Sequence, residues 1–251
     1  MWRVQGTDGP SYLLGSNHFT PGELLPAWVF DKVVEAETFY SEDSTEDSDD
    51  EAPTAAFLPE GQSLSEQLGP VLWKVLVDNI ESIPDESLDR LQPWMASFML
   101  EVDITGASLT VVGIDDELEG RARKAGKPMI NLDKNSGELL ANVSTKFTAD
   151  MLKHQLQNIE AYRANVTDQA YLRGDFERLS EGFYYADEGE KFPEFFNFIV
   201  YDRNIAWADE LEAPLRKGKV FVVAGVGHFS GDRGLLALLR GKGLTVERYA
   251  P

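Results

Sequence analysis

The chain has 251 residues and no cysteine, a length that suits one large α/β domain with a sizeable core. The missing cysteines exclude a disulfide framework, a thiolate metal site and a cysteine nucleophile. With 43 acidic against 23 basic residues the net charge is -20, a sign that repels phosphate backbones and anionic membrane faces, so nucleic acid is not expected as a partner. No apolar run approaches the ~20 residues of a bilayer span, so no transmembrane segment is expected. No signal peptide is visible; a cytoplasmic chain is expected if Met1 is the native start, and a secreted or periplasmic one if the native chain begins earlier.

In chain order, Tyr12-Leu13-Leu14 reads as a strand leading through Gly15-Ser16-Asn17 to His18, and Thr38-Phe39-Tyr40 as a strand leading to Glu42. The run Ser41 to Ala56 follows, with seven acidic residues from Glu42 to Glu51, and predicts a flexible acidic loop at about 43–56. It lacks the glycine and terminal glutamate of an EF-hand. Ser63 to Asn79 carries Leu64, Leu68, Leu72, Val75 and Leu76 at helical spacing. Pro93 predicts a break or a helix start within Asp89 to Leu100.

Leu109 to Val112 reads as a further strand leading through Gly113 to Asp115, and Pro128 to Leu132 as another leading to Asp133. Thr148 to Asn165 predicts a helix with Met151, Leu152, Leu156 and Ile159 on one side. Val220 to Ala224 leads through Gly225-Val226-Gly227 to His228, and a helix over Asp232 to Arg240 stops against Gly241 and Gly243. An edge strand over Leu244 to Tyr249 could pair between subunits, which leaves an oligomer open.

Helical patterns separate most of these runs, which predicts crossover connections: an α/β fold, one domain over 1–251, with a largely parallel central sheet flanked by helices. In such a sheet the carboxyl ends of the strands share one edge, and ligands bind beyond it. His18, Glu42, Asp115, Asp133 and His228 would then converge on one mouth. Gly15-Ser16-Asn17-His18 and Gly225-Val226-Gly227-His228 have the same form, and together they use two of the three histidines. Each glycine permits a tight exit from its strand and a close approach of backbone to substrate. His154, in mid-helix beside Lys153 and Gln155, has no expected role.

The order YLLGSNHF, AETFYSED, GID, Tyr171-x-x-Gly174-Asp175, RNIAWADEL and VVAGVGHFSGDRGLLALLRGKGLTVERY resembles the TraB/GumN family over Trp2 to Tyr249. That family takes in pheromone-shutdown proteins and the Tiki proteases, with ChaN-like and erythromycin-esterase-like proteins more distant. The resemblance carries the family's two Gly-x-x-His motifs onto Gly15/His18 and Gly225/His228, its glutamate onto Glu42, and its Arg-Asn pair onto Arg203 and Asn204. Where the family often has Leu-Glu-Thr, this chain has Leu132-Asp133-Lys134, and the acidic insertion after Glu42 also departs from its pattern.

Two imidazoles and a carboxylate suit a divalent metal with open positions, and a cation would relieve repulsion among Glu42, Asp115 and Asp133. The expectation is therefore a metal-dependent hydrolase of amides or esters with His18, Glu42 and His228 as ligands, and the resemblance to Tiki proteases implies a peptidase. His18, Glu42, Arg203 and His228 would be catalytic, and Gly15, Asn204 and Gly225 would meet a peptide or small ester substrate. The resemblance implies manganese or cobalt; the ligand types also suit iron or zinc. Arg203 would stabilise an oxyanion or pair with a strand-end acid, Asn204 would orient a neighbour, and Trp207 reads as core. Two alternatives stand beside this reading: a metal-free esterase-like hydrolase with His18 or His228 as base oriented by Glu42, and a non-catalytic binder of iron, haem or peptide.

Overall fold

The computed structural model describes all residues except 19, 43–54, 108–110, 135, 167–168 and 179–184. The predicted acidic loop lies almost wholly on 43–54, outside the described residues. In chain order the elements used below are β1 (Trp2–Gln5), β2 (Pro10–Ser16), α1 (Ala27–Glu35), β3 (Thr38–Ser41), α2 (Leu64–Val77), α3 (Pro93–Thr105), α4 (Ile114–Lys124), β4 (Met129–Asn131), α5 (Ala149–Gln157), α6 (Ile159–Val166), α7 (Tyr185–Lys191), α8 (Asp202–Lys217), β5 (Val220–Gly225), α9 (Leu235–Gly241) and β6 (Val246–Arg248). They belong to two units, one of Met1–Ser44, Thr110–Lys134 and Asn197–Pro251, the other of Thr45–Leu109 and Asn135–Phe196.

The first unit is α/β. Its six-stranded sheet has the order β4-β3-β5-β2-β1-β6. The pairs β3/β4, β3/β5 and β2/β5 are parallel; β1 runs antiparallel to β2 and to β6, so the sheet is mixed and largely parallel. The central strands are apolar without alternation because both faces are covered: Leu13, Phe39, Phe221, Val222 and Val223 are fully buried. Phe39 stacks on Phe221 across β3/β5, centroids 5.7 Å apart. Helix α4 packs on α1 and β3, and α8 on α9 and β1. The predicted edge strand forms as β6 at the end of the sheet.

The predicted strand over Leu109 to Val112 does not form among its described residues, Val111 and Val112. Val111 and Val112 lie outside the sheet and are 41% and 56% exposed; Asp115 reaches its place from the first turn of α4 instead. The apolar, β-branched run reads locally as a strand, but its described end meets the loop after His18, Gly22 N donating to Val112 O at 3.0 Å, and not a strand of the sheet.

The second unit is helical among its described residues. Ser63 caps α2 through Oγ, accepting from Glu66 N at 3.3 Å, and Leu64, Leu68 and Leu76 are buried. The predicted helix over Ser63 to Asn79 is interrupted at Gly69, whose φ of 75 precedes Pro70. Pro93 opens α3, where its missing N–H costs no hydrogen bond. The helix predicted from Thr148 to Asn165 divides at Asn158 into α5 and α6. Ser97 Oγ donates to Gln155 Oε1 at 2.7 Å between α3 and α5, so these two buried polar side chains satisfy each other.

Candidate functional site

The parallel strands β2, β3, β4 and β5 end in register at one edge. Ser16 pairs with Gly225 and Ser41 with Asn131, so the next residues of each strand emerge side by side. The ladder runs one step further, Asp133 N donating to Glu42 O at 2.8 Å, which sets Glu42 beside Asp133. All the site residues named from the sequence lie in the first unit.

Gly225 is where they meet. A Cβ built there would lie 3.5 Å from Glu42 Oε1, 3.7 Å from His228 Cδ2 and 3.8 Å from His18 Nε2. Gly225 N also donates to Glu42 Oε1 at 2.9 Å. Gly15 does something different: a Cβ there would stand 2.9 Å from Val226 Cγ2, so its missing side chain lets the second motif pack on the first strand. The two motifs are packed together through their own glycines.

Both histidines are held by Nδ1. His18 Nδ1 lies 2.8 Å from Asp115 Oδ2, and His228 Nδ1 lies 2.7 Å from Asn204 Oδ1. Asn204 Nδ2 donates to Arg233 O at 3.0 Å, which sets the amide with its oxygen toward the ring. An acceptor at Nδ1 puts the proton there, and in the neutral ring Nε2 carries the lone pair. Burial pushes His228 down to about 4, with Arg203 and His18 adding to it and Glu42 opposing, so the ring is neutral at neutral pH. It lies against Trp207, centroids 4.5 Å apart.

Arg203, on the first turn of α8, is the hub. Its Nε and Nη2 donate to the Asp133 carboxylate at 3.2 and 2.6 Å, and Nη1 donates to Ile199 O at 2.7 Å. Nη1 also lies 3.2 Å from His228 Nε2, Nη2 lies 3.8 Å from Glu42 Oε2, and the guanidinium stands 4.5 Å over the Trp207 ring. Trp207 Nε1 donates to Asp133 Oδ1 at 3.1 Å. Asp133 is thus the acid that aims Arg203, and Trp207 is core, 1% exposed, with one polar atom spent on the same acid.

Glu42 has its carboxyl held below the usual range: burial raises it, and His228, Arg203, His18 and the Gly225 N–H together outweigh burial. Asp115 is likewise lowered, its burial outweighed by His18; buried Ser16 Oγ contributes from nearby without a hydrogen bond of good geometry. The expected crowding of three carboxylates is therefore not what the fold builds. Asp133 faces Arg203, Asp115 faces His18, and Glu42 sits among Arg203, the two imidazoles and the Gly225 N–H. His154 lies in the second unit, with Lys191 Nζ 2.8 Å from its Nδ1.

Among the described residues no group of three or more His, Cys, Asp or Glu side chains stands in finished metal-ligating geometry. The donor chemistry nonetheless suits a cation. With Nδ1 protonated, His228 Nε2 and Glu42 Oε1 are two lone-pair atoms 3.2 Å apart, an approach that a positive charge between them would relieve. Histidines with Nδ1–H bound to a carboxylate or amide are the usual form of metal-ligating imidazoles. Reading strand ends brought Asp115 and Asp133 to the mouth but gave neither its partner: His18 for Asp115, and Arg203 with Trp207 for Asp133.

A family model described as the TraB/PrgY/gumN family matches residues 1–248. The chain belongs to that family. Neither the curated proteins nor the solved structures contain a match to it.

Proposed function

We propose that the chain is a metal-assisted hydrolase of amide bonds, with His18, Glu42 and His228 holding a divalent cation. The observation that carries this reading is the convergence of His18 Nε2, Glu42 Oε1 and the His228 ring on the open face of Gly225. The cation would acidify a bound water and polarise a carbonyl. The residues themselves do the rest. Asn204 keeps the His228 Nε2 lone pair unprotonated, and the depressed Glu42 carboxyl stays ionised. Arg203, locked by Asp133, presents a fixed positive charge against developing negative charge in a site where Asn204 and Trp207 exclude water. Family membership makes manganese and cobalt the first candidates to test; the His and Glu donors also accept iron and zinc.

A second reading has its own support: Arg203 Nη1 already contacts His228 Nε2, and His18 with Asp115 forms a base–carboxylate dyad able to take a proton from water. One experiment separates them. Purified full chain is assayed for bound metals, then for cleavage of a peptide library with chelator and with manganese, cobalt, iron or zinc restored. Chelator-sensitive, metal-restored cleavage supports the first reading. Cleavage indifferent to chelator supports the second. Bound metal or peptide with no cleavage under any condition would refute a hydrolase and leave a binding protein.

A further inference from the structure

We propose that Asp115 is a positioning residue: by accepting the Nδ1–H of His18 it holds that ring in one tautomer, with Nε2 turned toward Glu42 and Gly225. The proposal rests on the hydrolase reading only for what His18 then does. Its structural basis is independent of a cation or a substrate.

The bond itself is short, 2.8 Å between His18 Nδ1 and Asp115 Oδ2. His18 needs such an anchor because its side chain is 62% exposed, whereas that of His228 is 9% exposed and packed on Trp207. An exposed imidazole samples both tautomers and several rotamers; a carboxylate at Nδ1 selects one. Asp115 thus does by charge for His18 what Asn204 and burial do for His228.

The backbone is built to bring the pair together. The segment after His18 is bound to the start of α4: Pro21 bridges Gly113, and Gly22 N donates to Val112 O at 3.0 Å. Two glycines make the approach possible. A Cβ on Gly113 would lie 2.6 Å from His18 O, and one on Gly22 would lie 2.3 Å from Glu117 Cβ. Gly113 has an ordinary backbone, φ -68 and ψ 173, so its need for glycine comes from the His18 carbonyl and not from strain. Asp115 follows two residues later, in the first turn of α4, where the helix dipole favours its ionised form.

The chain's three histidines make the test direct. Full-length protein labelled with ¹⁵N-histidine is examined by long-range ¹⁵N–¹H correlation at about pH 8, above the ordinary imidazole pKa. The wild type is expected to show His18 as a single Nδ1–H tautomer. Asp115→Ala should move it to the mixture of a solvated imidazole and lower turnover about 10–100-fold. Asp115→Asn, which keeps an acceptor oxygen as Asn204 does for His228, should restore the tautomer in large part. Gly113→Ala, with Asp115 intact, should also displace the His18 signal by pushing on its carbonyl. A His18 signal unchanged in Asp115→Ala would overturn the proposal, whatever the activity. A lost tautomer in a protein that cleaves nothing would uphold it while refuting the hydrolase reading.

Discussion

Replacing Asp133 by asparagine tests whether Arg203 is aimed by its partner. The variant keeps the side chain's size and removes the charge that receives Nε and Nη2 at 3.2 and 2.6 Å. Its amide must also turn an N–H toward a guanidinium that only donates, and Trp207 Nε1 then competes for the single remaining oxygen. Breaking a buried pair by removing one partner costs about 3–5 kcal/mol. The two side chains are 11% and 14% exposed, so the lower end, about 3 kcal/mol, is the expected loss. For a chain of this size that is a fall in Tm of roughly 6–12 °C. Calorimetry of the wild type, Asp133→Asn, Arg203→Met and the double variant measures it, and the pair should show coupling of at least about 1.5 kcal/mol. Turnover should fall in Asp133→Asn as well, because Arg203 then no longer presents a fixed positive charge to the site. A Tm within about 2 °C of wild type, or additive single effects, would mean that Arg203 is held by Ile199 O and the Trp207 ring without Asp133.

Gly225→Ala adds a methyl at ordinary contact distance, 3.5–3.8 Å, from Glu42, His228 and His18, on a backbone of φ -51 and ψ 134 that alanine accepts. Melting should hardly move while peptide cleavage falls more than about tenfold, one factor of ten being 1.4 kcal/mol of barrier; full activity would place the reacting atoms elsewhere. Glu42→Gln should abolish turnover and also lower stability at neutral pH by about 1.5–3 kcal/mol, the range for hydrogen bonds to a charged group. A depressed carboxyl contributes above its ordinary pKa of 4.5 and loses that contribution as pH falls, so the difference from wild type should shrink in acid; a variant more stable than wild type at pH 7 would mean that the Gly225 N–H and Arg203 do not outweigh the approach of the His228 Nε2 lone pair. His228, neutral in the fold down to about 4 and protonated when unfolded below 6.5, should make stability rise with pH across that window, and His228→Gln should remove about 3 kcal/mol of that slope as read by denaturant titration. Glu188 on α7 has the opposite sign: burial pushes it up to about 7 and its Oε2 has no hydrogen-bond partner among the described residues, so its carboxyl is tolerated in acid and destabilises as pH rises through that value. Glu188→Met should therefore raise Tm more at pH 8 than at pH 5; an equal gain at both would show that Glu188 does not titrate in the fold.

The sequence by itself determined the strands that carry the site and the motifs at their ends. Tyr12 to Leu14, Thr38 to Tyr40, Met129 to Asn131 and Val220 to Ala224 all form strands, because a short apolar run covered on both faces needs no alternation to be recognised. Two copies of glycine, two residues and histidine after such runs placed His18 and His228 without a structure. Tertiary structure decided what each of them touches. His18 finds Asp115 97 positions away, and Arg203 finds Asp133 70 positions away, contacts that no local pattern encodes. It also decided that Val111 and Val112 stay out of the sheet, because the backbone that meets Val112 O there is the loop at Gly22 and not a sheet strand. The glycines show the same division: identical in the sequence motif, Gly15 makes room for Val226, whereas Gly225 leaves open the point where His18, Glu42 and His228 meet. Chain periodicity reports which face of an element is buried, but the partner across that face comes from another part of the chain, and only the packed fold brings the two together.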